Sequence, residues 1–134
     1  MKKLILIMLL FCQVLSAPPG YQVPVILQTE PLNNLEAIWQ AVMFIESSNN
    51  PYAVNYEFGG FSIGVGQIRK IRVDDFNKRT SKKYMHDDCF RVDISTEIFM
   101  YYAKIIKNEE LIVRRWNGSG PLTEIYWNKV KKYL

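Results

Sequence analysis

The sequence predicts a mostly α domain of the α+β class, helices packed around one core with a single small β-hairpin. Three observations predict it. Most of the chain after residue 33 carries apolar residues at helical spacing. One segment instead sets Tyr56, Phe58, Phe61 and Ile63 around Gly59-Gly60, the pattern of a short hairpin. The composition, 134 residues with 49% hydrophobic and 22% charged, is that of one ordinary globular domain without a disordered tail.

The elements follow in order. Lys2-Lys3, the apolar run Leu4 to Cys12 and the small-residue exit Val14-Leu15-Ser16-Ala17 read as a secretory signal peptide over residues 1–16. The run is too short for a bilayer span, which needs about 20 residues. The protein is therefore expected to be exported, periplasmic or extracellular, with no stable membrane span once the signal is cut. Residues 17–31, with Pro18, Pro19, Gly20 and Pro24, read as an extended leader, and residues 32–134 as the domain. Removing Lys2 and Lys3 takes the formal charge from +4 to +2, too weak a bias to imply nucleic acid. Cys89 is then the one cysteine left, so stability has to come from packing.

Leu35, Ile38, Trp39, Val42 and Ile45 form the stripe of a first helix with Asn33 or Asn34 as its N-cap. Breakers from Ser47 to Pro51 end it. The hairpin occupies 53–65, and Gly64-Val65-Gly66-Gln67-Ile68 follows. Val73 to Arg79 reads as a short helix. Asp93 to Lys107 reads as a long one, capped by Asp93, with Ile94, Ile98, Tyr102 and Ile105 inward. Glu109 to Trp116 is another. Thr123 is expected to cap the last, with Tyr126, Trp127, Val130 and Tyr133 facing in. The basic run 78–83 reads as a solvated loop.

One residue stands out against this pattern. Glu46 lies eleven positions after Leu35, which at 100° per residue returns it to within about 20° of the apolar stripe. A carboxyl on that face, at the end of a helix where the dipole disfavours negative charge, is expected to have a raised pKa. Position alone leaves two roles open: an acid kept protonated for chemistry, or a carboxylate paired to a buried arginine or hydroxyl.

The order of these pieces carries more than any one of them. Glu46-Ser47 with Pro51, Ala53 and Asn55, then Ser62-Ile63-Gly64-Val65-Gly66-Gln67-Ile68, then Trp116-Asn117-Gly118-Ser119-Gly120-Pro121 together resemble the lysozyme-like superfamily. The nearest resemblance is to its soluble-lytic-transglycosylase domains, and it covers about 100 residues from Asn34. It implies a helical domain whose hairpin flanks a catalytic cleft and an enzyme that cuts the β-1,4 bond between amino sugars of peptidoglycan. Glu46 would be the single general acid and base, closing a 1,6-anhydro ring without water. By the same resemblance Gln67, Ser62, Tyr102, Trp116 and Asn117 would bind or shape the glycan.

Each of those residues also has a plain structural role open to it: hairpin closure for Gln67, a backbone bond for Ser62, core packing for Tyr102, helix capping for Asn117. Two departures from the family pattern stand out. Trp116 replaces the family tyrosine, and its indole donates a hydrogen bond but cannot accept one. Gly66 stands where the family carries a larger apolar residue and is expected to widen the cleft floor. Hydrolysis, as in a muramidase, would want a second carboxylate, for which Glu57 on the hairpin is the candidate. A glycan-binding module without catalysis, and a small exported structural protein with no carbohydrate role, are the remaining alternatives. One His and one mature Cys predict neither metal nor cofactor. The expected partner is the peptidoglycan strand, bound by a monomer.

Overall fold

The computed structural model describes residues 34–134. The predicted signal peptide and leader, and Asn33 as a cap, lie outside the described residues. Within them the order is α1 (Asn34–Ser47), β1 (Val54–Glu57), β2 (Gly60–Ile63), β3 (Ile68–Arg69), α2 (Lys70–Thr80), a 3-10 turn (His86–Phe90), α3 (Val92–Ile106), α4 (Glu109–Asn117), α5 (Leu122–Val130) and a last 3-10 turn (Lys131–Tyr133). No helix among the described residues is long and apolar enough to cross a membrane.

Helix α1 buries Ile38, Trp39 and Val42, with Leu35 and Ile45 packed at the margin of the same core. It stops where Ser48 and Asn49 take φ of 54° and 62°, a left-handed pair that turns the chain without glycine. Their amides return to Phe44 O and Met43 O, which satisfies carbonyls the helix would otherwise leave open.

The β region is larger than the single hairpin expected. The strands form a three-stranded antiparallel sheet in the order β1-β2-β3. The cause is a tight turn: the Gln67 amide donates to Gly64 O at 3.2 Å, and Gln67 sits at φ 49°. The chain doubles back there, and Ile68 and Arg69 pair with Ile63 and Ser62. A two-residue strand has no periodicity to detect. Register splits the sheet into two faces. Val54, Ile63 and Ile68 align on one, which the core takes at Ile63 and Ile68. Asn55, Ser62 and Arg69 align on the other.

An aromatic group joins the helices. The Trp39 ring stacks on Phe99 at 4.5 Å, and the Trp116 ring meets both edge-on at 5.8 and 5.1 Å. Trp39 donates its indole N–H to Thr96 Oγ1 at 2.8 Å, so its one polar atom is satisfied inside the core.

Several element limits differ from the sequence reading. Asp93 does not cap α3: Arg91 precedes the helix, and Asp93 in the first turn pairs with it at 2.7 Å. Ile105 is 59% exposed, because the buried stripe of α3 runs through Ser95, Phe99 and Ala103 and leaves position 105 on its edge. Thr123 does not cap α5 either. It is buried inside the first turn, donating to Gly120 O and accepting from Arg114 Nε. Tyr133 is exposed beside Phe44 rather than inward. The basic run 78–83 begins inside α2, which extends to Thr80.

Candidate active site

Glu46 occupies the last turn of α1 and is half-buried. Ser47 beside it fastens the helix end: its hydroxyl reaches Met43 O at 3.1 Å and Val65 O at 3.0 Å, the second on the turn after β2. The Glu-Ser pair is thus a carboxyl next to the tie that sets its distance from the sheet. Glu46 faces a cavity of about 210 Å³ whose wall also includes Gln67, Arg69, Arg72, Trp116 and Asn117. Helix α1, the sheet, α2 and the end of α4 therefore converge on one space.

Tyr126, on α5, donates its hydroxyl to Glu46 Oε1 at 2.6 Å. Burial and the adjacent carboxylate push the Tyr126 hydroxyl far above its ordinary range, so it stays a donor at any working pH. Arg72 brings a positive charge to the same cavity and interacts with the Glu46 charge. Burial lowers its pKa, while Tyr102, Glu46, Tyr126 and Asp75 act in the opposite direction. Its guanidinium lies 4.2 Å from the centre of the Trp116 ring and donates to Trp116 O at 2.9 Å. The setting of Glu46 is not apolar throughout: a tyrosine hydroxyl bonds its carboxyl group and a guanidinium lines the same cavity. The pairing role left open by its position is realised, through a tyrosine hydroxyl, alongside exposure to the cavity.

Gln67 reaches the same cavity but its amide is occupied. Oε1 accepts from Asn55 Nδ2 at 2.7 Å and Ser62 Oγ at 2.9 Å, and Nε2 donates to Gly64 O at 3.0 Å and Ala53 O at 3.4 Å. A side-chain amide has two donor hydrogens and two acceptor lone pairs, and these contacts use all four. Gln67 therefore locks β1 to the turn before β3, and the motif residues Ala53, Asn55 and Ser62 are its partners. Gln67→Leu is expected to loosen the hairpin and lower stability by about 2–3 kcal/mol, since the buried Ser62 hydroxyl and Gly64 carbonyl each lose a bond at once. A urea titration measures this; an unchanged midpoint would mean the lock adds nothing.

The remaining expected residues fall as follows. Ser62 is buried at 1% exposure beneath Gln67 and is not in the cavity wall, contrary to its expected cleft-facing position; the register turns it under the amide it serves. Trp116 lines the cavity with its ring, and its indole donates to Gly66 O at 3.1 Å. Asn117, the last residue of α4, lines it too. Tyr102 is elsewhere: its hydroxyl donates to Asp75 Oδ2 at 2.6 Å in a neighbouring cavity. The backbone of Glu57 ends β1, and its side chain lies outside what the structure describes. Gly66 does not widen the floor. A Cβ there would lie 2.5 Å from Trp39 Cη2, so the space freed by the missing side chain is filled by tryptophan. Among the described residues no group of His, Cys, Asp and Glu is placed to hold a metal ion.

Two site residues escaped the sequence reading. Tyr126 was legible as part of an inward stripe, and a buried hydroxyl needs an acceptor, but nothing in the sequence says that the acceptor is 80 positions away. Arg72 lies in the run Arg69-Lys70-Ile71-Arg72 and has no distinguishing signal. No protein-family model, curated protein or solved structure matches this chain in comparison.

Proposed function

We propose that this protein is a peptidoglycan-cleaving glycosidase of the lytic transglycosylase type, exported by its signal peptide, with Glu46 as its acid and base. The observation that carries the reading is the placement of Glu46. It is half-buried at a helix end, held at one oxygen by Tyr126 and turned to a cavity with an aromatic and an amide in its wall. The lysozyme-like order of motifs adds to it.

In this reading the Glu46 carboxyl protonates the oxygen between two amino sugars, and the C1–O bond breaks toward an oxocarbenium ion. The carboxylate left behind takes the proton of the sugar's own 6-hydroxyl as that oxygen attacks C1. A 1,6-anhydro ring forms, the proton returns to Glu46, and no water is consumed. A bound glycan that excludes water from the cavity would favour the neutral acid, offsetting the pull of Tyr126 and Arg72 toward the carboxylate. Tyr126 takes the position of holding the acid, for which the Trp116 indole is unsuited because it is committed to Gly66 O.

The test is digestion of purified sacculi followed by mass analysis of the fragments. Anhydro-ended muropeptides are expected. Reducing ends would instead give the muramidase variant, and bound but uncut sacculi would give the binding module. Tyr126→Phe tests the holding role. Losing the hydroxyl removes a bond that favours the charged form, so the pH at which activity is lost on the alkaline side should rise. A pH–rate profile identical to wild type would remove Tyr126 from the mechanism.

A further inference from the structure

Helix α5 presents two stripes. Thr123, Tyr126 and Val130 are buried on one side, while Leu122, Ile125 and Lys129 recur at helical spacing on the other and are exposed. Leu122 is 70% exposed and Ile125 56%, so the outward stripe is not the margin of the core. Lys129 also stands in the wall of a cavity of about 390 Å³, with Phe44, Ile45, Ser48, Lys132 and Tyr133. The exposed Phe44 and Tyr133 rings lie 5.0 Å apart there. The cavity wall thus carries two ammonium groups and, among the described residues, no carboxylate. Neither lysine forms an ion pair with a described residue. This chemistry selects the occupant. A second copy of the same face would set lysine against lysine. A sugar strand would lose hydrogen bonds from its hydroxyls against Leu122 and Ile125. An anionic bilayer surface matches both parts, since its acyl boundary takes the aliphatic and aromatic side chains and its phosphates take the ammonium groups at the ends of their apolar stems.

We propose that this face seats the protein on an anionic lipid surface. Leu122, Ile125 and the Phe44–Tyr133 pair meet the acyl boundary, and Lys129 and Lys132 receive a headgroup phosphate in the cavity. The site is separate from the proposed chemistry, because none of its residues lines the Glu46 cavity.

The experiment measures co-sedimentation of the processed protein, residues 17–134, with two kinds of vesicle: phosphatidylcholine alone, and an equal mixture of phosphatidylcholine and phosphatidylglycerol. The run Leu4 to Cys12 is left out because it would enter lipid by itself, and the buried core lies within residues 34–134, so the processed chain keeps it. Wild type should bind the mixed vesicles and only weakly the neutral ones. K129Q/K132Q should weaken binding to the mixed vesicles about thirtyfold, from roughly fivefold per lysine near an anionic surface. L122Q/I125Q should weaken it about tenfold, through lost apolar burial. All four positions are exposed, so both variants should give the wild-type circular dichroism spectrum. Excess inorganic phosphate at constant ionic strength should leave the protein on the vesicles; complete release would make the cavity a site for soluble anions and overturn the lipid face. Equal binding to the two compositions, binding to neither, or wild-type affinity in either variant overturns it as well. Each of these results leaves the Glu46 reading to the sacculus digestion.

Discussion

Glu46→Gln is expected to leave the protein folded and to reduce sacculus cleavage by roughly 10²–10⁴, the contribution of general acid catalysis. The amide has the size of the carboxyl, and its carbonyl still accepts from the Tyr126 hydroxyl, which sits 2.6 Å from Oε1. What it lacks is a proton to give. Losing the negative charge also removes the attraction to Arg72, but a half-buried amide is less costly to desolvate than a carboxylate, so stability should change little. Thermal unfolding and sacculus digestion measured on the same preparation separate the two effects. A variant that unfolds would make Glu46 a structural partner of Tyr126 and Arg72. A folded variant that cuts at the wild-type rate would remove Glu46 as the acid.

Gly64→Ala should have the largest effect on stability. Gly64 adopts φ 74°, and a Cβ there would lie 2.1 Å from the carbonyl oxygen of Cys89, a backbone atom that cannot swing aside. The left-handed backbone costs roughly 1–3 kcal/mol for a residue with a side chain, and the forced overlap about 1–3 kcal/mol more. Together these take a large share of a typical domain stability of about 5–15 kcal/mol. The loss also reaches the site, since Gly64 O accepts from both the Gln67 amide and its side chain. Gly60→Ala serves as the control: φ is 140°, but no atom lies within 4 Å of the added Cβ. Urea denaturation of both should show the clash as the difference between them. Equal midpoints would mean that the loop shifts freely and that contact with Cys89 is not what requires glycine.

Cys89 itself illustrates how strongly that region is sealed. It is fully buried, and burial next to Asp88 and Asp87 pushes its thiol up to about 12. The thiol is neutral at any ordinary pH, and its role is packing beneath the Gly64 turn.

Local pattern accounts for much of the molecule. The first helix, its end at the polar cluster and the inward Ile38, Trp39 and Val42 follow from a 3.6-residue period, because a helix presents residues three and four apart on one face wherever it packs. The hairpin follows from glycines between alternating aromatic and β-branched residues. The position of Glu46 at the edge of the apolar stripe follows from the same arithmetic, and so does its half-burial. Such features depend only on neighbours a few positions away.

Contacts between distant segments decided the rest. The pairing of β3 depends on a turn whose geometry comes from Gln67 bonding four groups at once, none of them visible as a periodic signal. Gly66 is small because Trp39, 27 positions earlier, already fills the space its side chain would take. Ser62 and Tyr102 carry polar groups suited to a cleft, yet the Gln67 side chain covers one and Asp75 draws the other into a separate cavity. Tyr126 and Arg72 meet Glu46 because α5 and α2 close over the end of α1. A sequence determines which side chains need partners; only the packed chain decides which partner each one meets, since that choice depends on distances between segments that local propensities do not set.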